Sequence, residues 1–113
     1  MKSKREQGKT LEYIVADYLK DIYPYIRPSK GSGNSNELGD IAGIDTLLIE
    51  CKYRNTKNIT IKEDVWNKLY NELPINSKRV PIYVLQNKNK KIWVALELKD
   101  FMKIFKESKK KIK

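Results

Sequence analysis

The stretch GSGNSNELGDIAGIDTLLIECKY, residues 31–53, decides how this chain is read. An apolar run, Leu47, Leu48 and Ile49, is broken by Glu50 and Lys52. Side chains of a strand alternate between its two faces, so Glu50 and Lys52 share one face while Ile49 and Cys51 share the other. A carboxylate and an ammonium therefore stand side by side on a strand that otherwise reads as core. Upstream, residues 30–39 form a loop with three glycines, two serines and two asparagines, which delivers Asp40 to the start of another strand. Such composition usually marks a connector, and it also lets backbone amides approach a phosphate closely.

Outward from this stretch the periodicities predict the remaining elements. Leu11, Ile14, Val15, Tyr18, Leu19 and Ile22 recur at helical spacing before Pro24, with a start either at a Ser3/Glu6 capping box or near Thr10. Glu12 lies at the edge of that stripe, where it either points into a cleft or is a solvated acid near the helix N-terminus. Residues 24–29, with two prolines, suit a short edge strand. Asp40 and Ile41 open a second strand, a turn falls near residues 43–45, and residues 46–53 form the third. A possible capping box, Thr60 with Glu63, precedes an apolar helical face of Ile61, Val65, Trp66, Leu69, Tyr70 and Leu73, stopped by Pro74. Residues 80–86 and 91–98 read as two strands joined by a polar turn. A closing helix over residues 98–105 follows, with Phe101, Met102, Ile104 and Phe105 as its apolar side. The order α-β-β-β-α-β-β-α predicts an α/β fold in which a sheet of about five strands is flanked by helices. Trp66, Trp93 and most of the seven tyrosines fall on apolar faces and read as core.

The 113 residues suffice for one domain with a real core. The chain has 24 Lys and Arg against 14 Asp and Glu, a net charge of +10. Lys2, Lys4, Arg5 and Lys9 against Glu6 leave +3 in the first ten residues, and six lysines against Glu107 leave +5 in residues 101–113. Most of the excess thus sits in the two ends, about 1–8 and 106–113, which read as flexible basic arms able to reach a polyanion. Nucleic acid is the leading partner for such a charge distribution. A single cysteine excludes an internal disulfide and a cysteine zinc cluster, and the absence of histidine excludes Ser-His-Asp and Cys-His catalysis. A metal would have to be held by oxygen, which favours Mg²⁺, with Mn²⁺ as a substitute. No apolar run approaches the length of a membrane span and no signal-peptide core is visible, so a cytoplasmic protein without membrane contact is expected.

Glu-x-Lys by itself carries little information. In a chain this rich in both residues chance alone gives about one or two such pairs, and three occur: Glu50/Lys52, Glu97/Lys99 and Glu107/Lys109. Only the first interrupts an apolar strand, and only it has a Gly-Asp delivered ten residues upstream. Partly buried charges need compensation. A Glu50–Lys52 ion pair on an exposed sheet edge would be one. A divalent cation would be another: Asp40 and Glu50 would offer carboxylate oxygens, the Cys51 backbone carbonyl a third ligand, and waters the rest. Lys52 beside the metal would then orient the attacking water and offset charge on a phosphate. The chemistry that needs a hard metal, an activated water and a cation is phosphodiester hydrolysis. Cys51, facing away from Glu50, reads as a small buried apolar residue.

With Asp40 followed by Glu50-Cys51-Lys52, the chain resembles the PD-(D/E)xK nuclease superfamily. More narrowly it is similar to the archaeal-type Holliday junction resolvases and their small phage relatives. The likeness includes Gly8-Lys9-Thr10-Leu11-Glu12 entering the first helix, Arg27 followed by Gly31-Ser32, and two strands leading to Leu98-Lys99-Asp100-Phe101. The resemblance implies a restriction-endonuclease-like mixed sheet and a Mg²⁺-dependent DNA endonuclease. It also implies a homodimer that cuts branched DNA in recombination or repair, within a bacterial, archaeal or phage-infected cell. Asp40 and Glu50 would be direct metal ligands, Glu12 a further acid acting through water, and Lys52 the catalytic lysine. Arg27, Lys30 and Ser32 would contact DNA, together with Tyr53 and Arg54 just past the signature. Residues 33–39 lengthen the loop before Asp40, so Ser29 or Ser35 stands as an alternative to Ser32. Related domains cut flaps, nicks or plain duplex with the same four residues, and a non-catalytic nucleic-acid-binding module on this fold is the reading from another class.

Overall fold

The computed structural model describes residues 4–30 and 38–111, and the side chains of 6–30 and 38–109. The chain folds as α1 (Lys4–Leu19), β1 (Arg27–Pro28), β2 (Ile41–Ala42), β3 (Leu47–Tyr53), α2 (Glu63–Asn71), β4 (Val80–Gln86), β5 (Ile92–Ala95) and α3 (Leu98–Lys111). This is the expected element order. The strands divide into two small sheets rather than one of five: β1 pairs antiparallel with β2, and β3-β4-β5 form the larger sheet. β3 runs parallel to β4 through the α2 crossover, and β5 returns antiparallel to β4.

Two glycines explain the split. Gly39 and Gly43 both take positive φ, 71° and 80°, and the strand between them is only the two residues Ile41 and Ala42. A Cβ on Gly43 would lie 2.1 Å from the Tyr25 carbonyl oxygen, and one on Gly39 would lie 2.6 Å from the Ile49 carbonyl oxygen. Only glycine fits such left-handed, close-packed positions. The gain from this close approach is a main-chain bond, Asp40 N–H to the Ile49 carbonyl at 2.8 Å, which brings the small sheet against the outer edge of β3.

Because β3 is covered on both sides, neighbours in its sequence enter different cores. Ile49 packs with Ile82 and Val84 of β4 beneath Leu11, Val15 and Ala16 of α1. Leu48 packs with Leu69, Tyr83 and Leu85, flanked by Val65 and Trp66, and the Trp66 ring stands edge-on to Tyr83 at 5.0 Å. β4 is buried along its whole length, as a strand between two neighbours and beneath two layers should be.

Several expectations are corrected. Tyr18 and Ile22 are exposed rather than part of the α1 stripe, as are Tyr13 and Tyr25; α1 ends at Leu19, which still packs against the core, so Ile22 lies beyond the helix. Thr60 and Glu63 form no capping box: Lys62 is the N-cap of α2 and makes no side-chain cap bond, the acids Glu63 and Asp64 meeting the helix dipole instead. The basic ends are helical where described, α1 starting at Lys4 and α3 continuing to Lys111. Among the described side chains of α3, Leu98, Phe101, Met102, Ile104 and Phe105 are all exposed. Trp93 is 39% exposed, not core. Among the described residues no helix is long and apolar enough to cross a membrane.

Candidate active site

Asp40 is fixed from both of its ends. Its amide holds the Ile49 carbonyl, and its carboxylate oxygen Oδ2 accepts the Cys51 amide at 2.7 Å. Ser29 completes the clamp, its amide donating to the Asp40 carbonyl and its hydroxyl to the Gly39 carbonyl, both at 2.9 Å. On β3 the even-numbered residues face β4, as Arg54 N–H to the Gln86 carbonyl shows. Ile49 and Cys51 therefore turn their backbone groups to the opposite edge, where Asp40 lies. A strand residue directs its N–H and C=O to the same side, so the Cys51 carbonyl also emerges there.

Glu50 faces the α2 side yet stays coupled to Asp40. Burial pushes the Asp40 pKa up, against the Cys51 amide bond, the charges of Lys52 and Lys9 and the nearby Glu50 carboxyl, which lower it. Burial, together with the negative charge of Asp40, raises Glu50 to about 7. The Glu50 Oε2 atom is buried and has no hydrogen-bond partner. The expected alternative of a self-satisfied Glu50–Lys52 ion pair is thus not what the geometry gives. Lys52 does favour the ionised form of both acids, as a smaller influence than burial.

Glu12 reaches the same field from α1. It is half-buried, and burial with the Asp40 charge raises it to about 7, partly offset by Lys9, whose ammonium lies 4.0 Å away. Sequence reasoning passed over Lys9, although its i,i+3 spacing from Glu12 on a helix is a visible signal. Glu12 and Asp40 border a cleft of about 470 Å³ into which Lys9, Lys30, Lys52 and Arg54 also look, while Glu50 is not part of its wall.

The other expected contact residues divide. Lys30 and Arg54 line the cleft, with the Arg54 guanidinium donating to the Tyr53 carbonyl at 2.9 Å. Tyr53 reaches the cleft wall but is only 9% exposed, so it stays in the core and offers little surface for the expected DNA contact. The Lys90 ammonium covers its ring at 5.2 Å. Arg27 is exposed on β1 and is not part of the cleft wall. Ser32 and Ser35 lie outside the described residues, and Ser29 lines the cleft with its hydroxyl committed to Gly39. Cys51 is half-buried against the α1 core, and burial pushes its thiol well up, so it is no nucleophile.

Among the described residues no three His, Cys, Asp or Glu side chains stand together as a ready metal-binding group. The donors close to one another are two carboxylates, Asp40 and Glu50, with the Cys51 carbonyl on the same strand edge. An orphaned carboxylate oxygen and acids whose charge is held back by burial are the features that a hard cation would satisfy. Comparison of the chain with protein-family models, curated proteins and solved structures returns no match.

Proposed function

We propose that the chain is a Mg²⁺-dependent DNA endonuclease with a restriction-endonuclease-like core. The observation that carries this reading is Asp40, bonded to the outer edge of β3, next to Glu50 with its buried unpartnered oxygen, beside Lys52 and a cleft that Asp40 borders with four cations. Asp40, Glu50 and the Cys51 carbonyl would hold the ion directly, and Glu12 would meet it through water. Mg²⁺ bound there supplies a Lewis acid for a phosphoryl oxygen and lowers the pKa of the attacking water. Lys52 orients that water and offsets charge developing on the phosphate. Lys9, Lys30 and Arg54 seat the flanking backbone phosphates without reading sequence. Mn²⁺ would replace Mg²⁺ in the same oxygen site.

Resolution of four-way junctions is the specific activity proposed, and a homodimer belongs to it because paired cuts need two sites. The test is incubation of labelled four-way junction, flap and linear duplex with the protein in Mg²⁺ or EDTA, beside Asp40→Asn. Cutting of the junction in Mg²⁺ alone, abolished in the variant, is expected. Equal cutting of all three substrates would leave the nuclease and remove the resolvase. Binding with no cutting of any would leave only a nucleic-acid-binding module. Light scattering on the protein with junction DNA should give two chains per complex.

A further inference from the structure

The face of the sheet that carries Lys52 continues away from the acids. Lys52 pairs with Leu85 in the parallel ladder, and Leu85 pairs with Trp93 in the antiparallel one. Residues in register share a face, so Lys52, Leu85 and Trp93 form a row across three adjacent strands. The two outer members are about 10 Å apart at the usual strand spacing. Concavities follow that row. The catalytic cleft shares Lys52 and Arg54 with a second hollow of about 300 Å³. The second hollow shares Leu85 and Ile59 with a third, of about 510 Å³, that ends at Trp93.

Three properties make this groove a built site. Its two outer hollows are lined by Lys52, Arg54, Lys57, Lys62 and Lys91 and by no acid. Its far end holds a half-exposed indole with the Lys91 ammonium 5.6 Å from the ring centre. Its walls are stapled together: Asn87, itself buried, donates to the Lys57 carbonyl at 2.9 Å and accepts the Asn89 and Lys91 amides at 3.0 Å. Lys88 N–H to the Thr56 carbonyl, at 3.0 Å, ties the same loop and turn. A ring held on a rigid strand loses little freedom when something stacks on it.

We propose that this groove binds an unpaired nucleic-acid strand leaving the scissile phosphate, with one base stacked on Trp93. The strand's phosphates lie along Arg54, Lys62 and Lys57, and the Lys91 ammonium moves from the ring to a phosphate as the base arrives. Base stacking on an aromatic ring in a cationic groove tolerates any sequence. The span of about 10 Å corresponds to about three nucleotides at the stacked rise of about 3.4 Å, and fewer in an extended strand. The proposal rests on the nuclease reading for what the strand is attached to, so it is tested by binding alone.

The experiment measures anisotropy of a labelled oligo(dT) of about ten nucleotides and of the same oligomer as duplex. Both are titrated in EDTA with the wild-type protein, Trp93→Leu and Trp93→Phe. Trp93→Leu should weaken single-strand binding about tenfold, the worth of one stacked base. Trp93→Phe should stay within about threefold, and duplex binding should be unchanged in both. Wild-type affinity for the single strand in Trp93→Leu would overturn the proposal, as would an equal loss on duplex. Competition by polyglutamate as effective as by unlabelled oligo(dT) would also overturn it, making the groove a surface for acidic peptide. The binding result stands even if no substrate is cut in Mg²⁺, which separates failure of this subsite from failure of the nuclease reading.

Discussion

Glu50/Lys52 and Glu97/Lys99 are the same residue types at the same spacing, placed in two surroundings. Glu97 and Lys99, at the junction of β5 and α3, form an ion pair of 3.9 Å with side chains 48% and 69% exposed. Water reaches both charges, and such a pair contributes little. Glu50 lies on β3 beside Asp40, its pKa is raised to about 7, and one of its oxygens is buried without a partner. The motif is therefore silent about function until burial and a third charge are added. Where solvent satisfies the pair it ends as surface chemistry; where solvent is withheld, it leaves an electrostatic demand that a cation can meet.

The difference should be largest in cleavage. Lys52→Ala should lower the single-turnover cutting rate by a hundredfold or more, about what loss of a positioned catalytic group costs, whereas Lys99→Ala should leave it unchanged. A Lys52→Ala variant cutting at the wild-type rate would erase the distinction.

Metal binding should separate the pairs next. With Mg²⁺ at roughly a hundred times its dissociation constant, folding should gain about 2.7 kcal/mol, a rise in Tm of about 10 °C or more for a domain of this size. Asp40→Asn should lose the rise and Lys99→Ala should keep it, as read by thermal unfolding with and without EDTA.

The pH dependence without metal follows from the raised carboxyls. Glu12 and Glu50 titrate near 7 in the folded chain against 4.5 for the free side chain, so the native state binds protons more tightly than the unfolded one. The stability they contribute is fully present below about pH 4.5 and is lost as pH rises through 7. In EDTA the protein should therefore melt higher at pH 5 than at pH 8. Glu50→Gln should recover about 1 kcal/mol at pH 8, after solvent screening, and almost nothing at pH 4.5. A melting curve for Glu50→Gln that is equally shifted at both pH values would point to packing instead of charge.

The smallest effect belongs to the exposed pair itself: Lys99→Ala should change unfolding free energy by less than about 0.5 kcal/mol in denaturant titration.

The same contrast shows what the sequence could reveal. Element order is legible because period and punctuation are local: Leu11 and Val15 mark a helix face, Pro74 stops one, and the apolar run over residues 80–86 coincides with β4. The Asp40, Glu50 and Lys52 set was legible because charge on an apolar strand is anomalous. The division into two sheets was not, since it depends on the positive φ of Gly39 and Gly43 and on how closely each approaches a distant carbonyl. Burial of Tyr53 and exposure of Trp93 were likewise hidden: both are aromatics near strand ends, and only the neighbouring strands decide which is covered. The α3 face is the least legible, because helical periodicity predicts an apolar side without saying what packs on it, and among the described residues Leu98, Phe101, Met102, Ile104 and Phe105 stay exposed.

The claim at the centre is that the Asp40–Glu50 pair is a cation site, not merely a strained pair of acids. Titration of Mn²⁺ followed by electron paramagnetic resonance counts bound ions directly. The account predicts Mn²⁺ held by the wild-type chain and by Lys99→Ala, and lost in Asp40→Asn and Glu50→Gln. Equal Mn²⁺ binding by all four proteins, or none by the wild type, would contradict it.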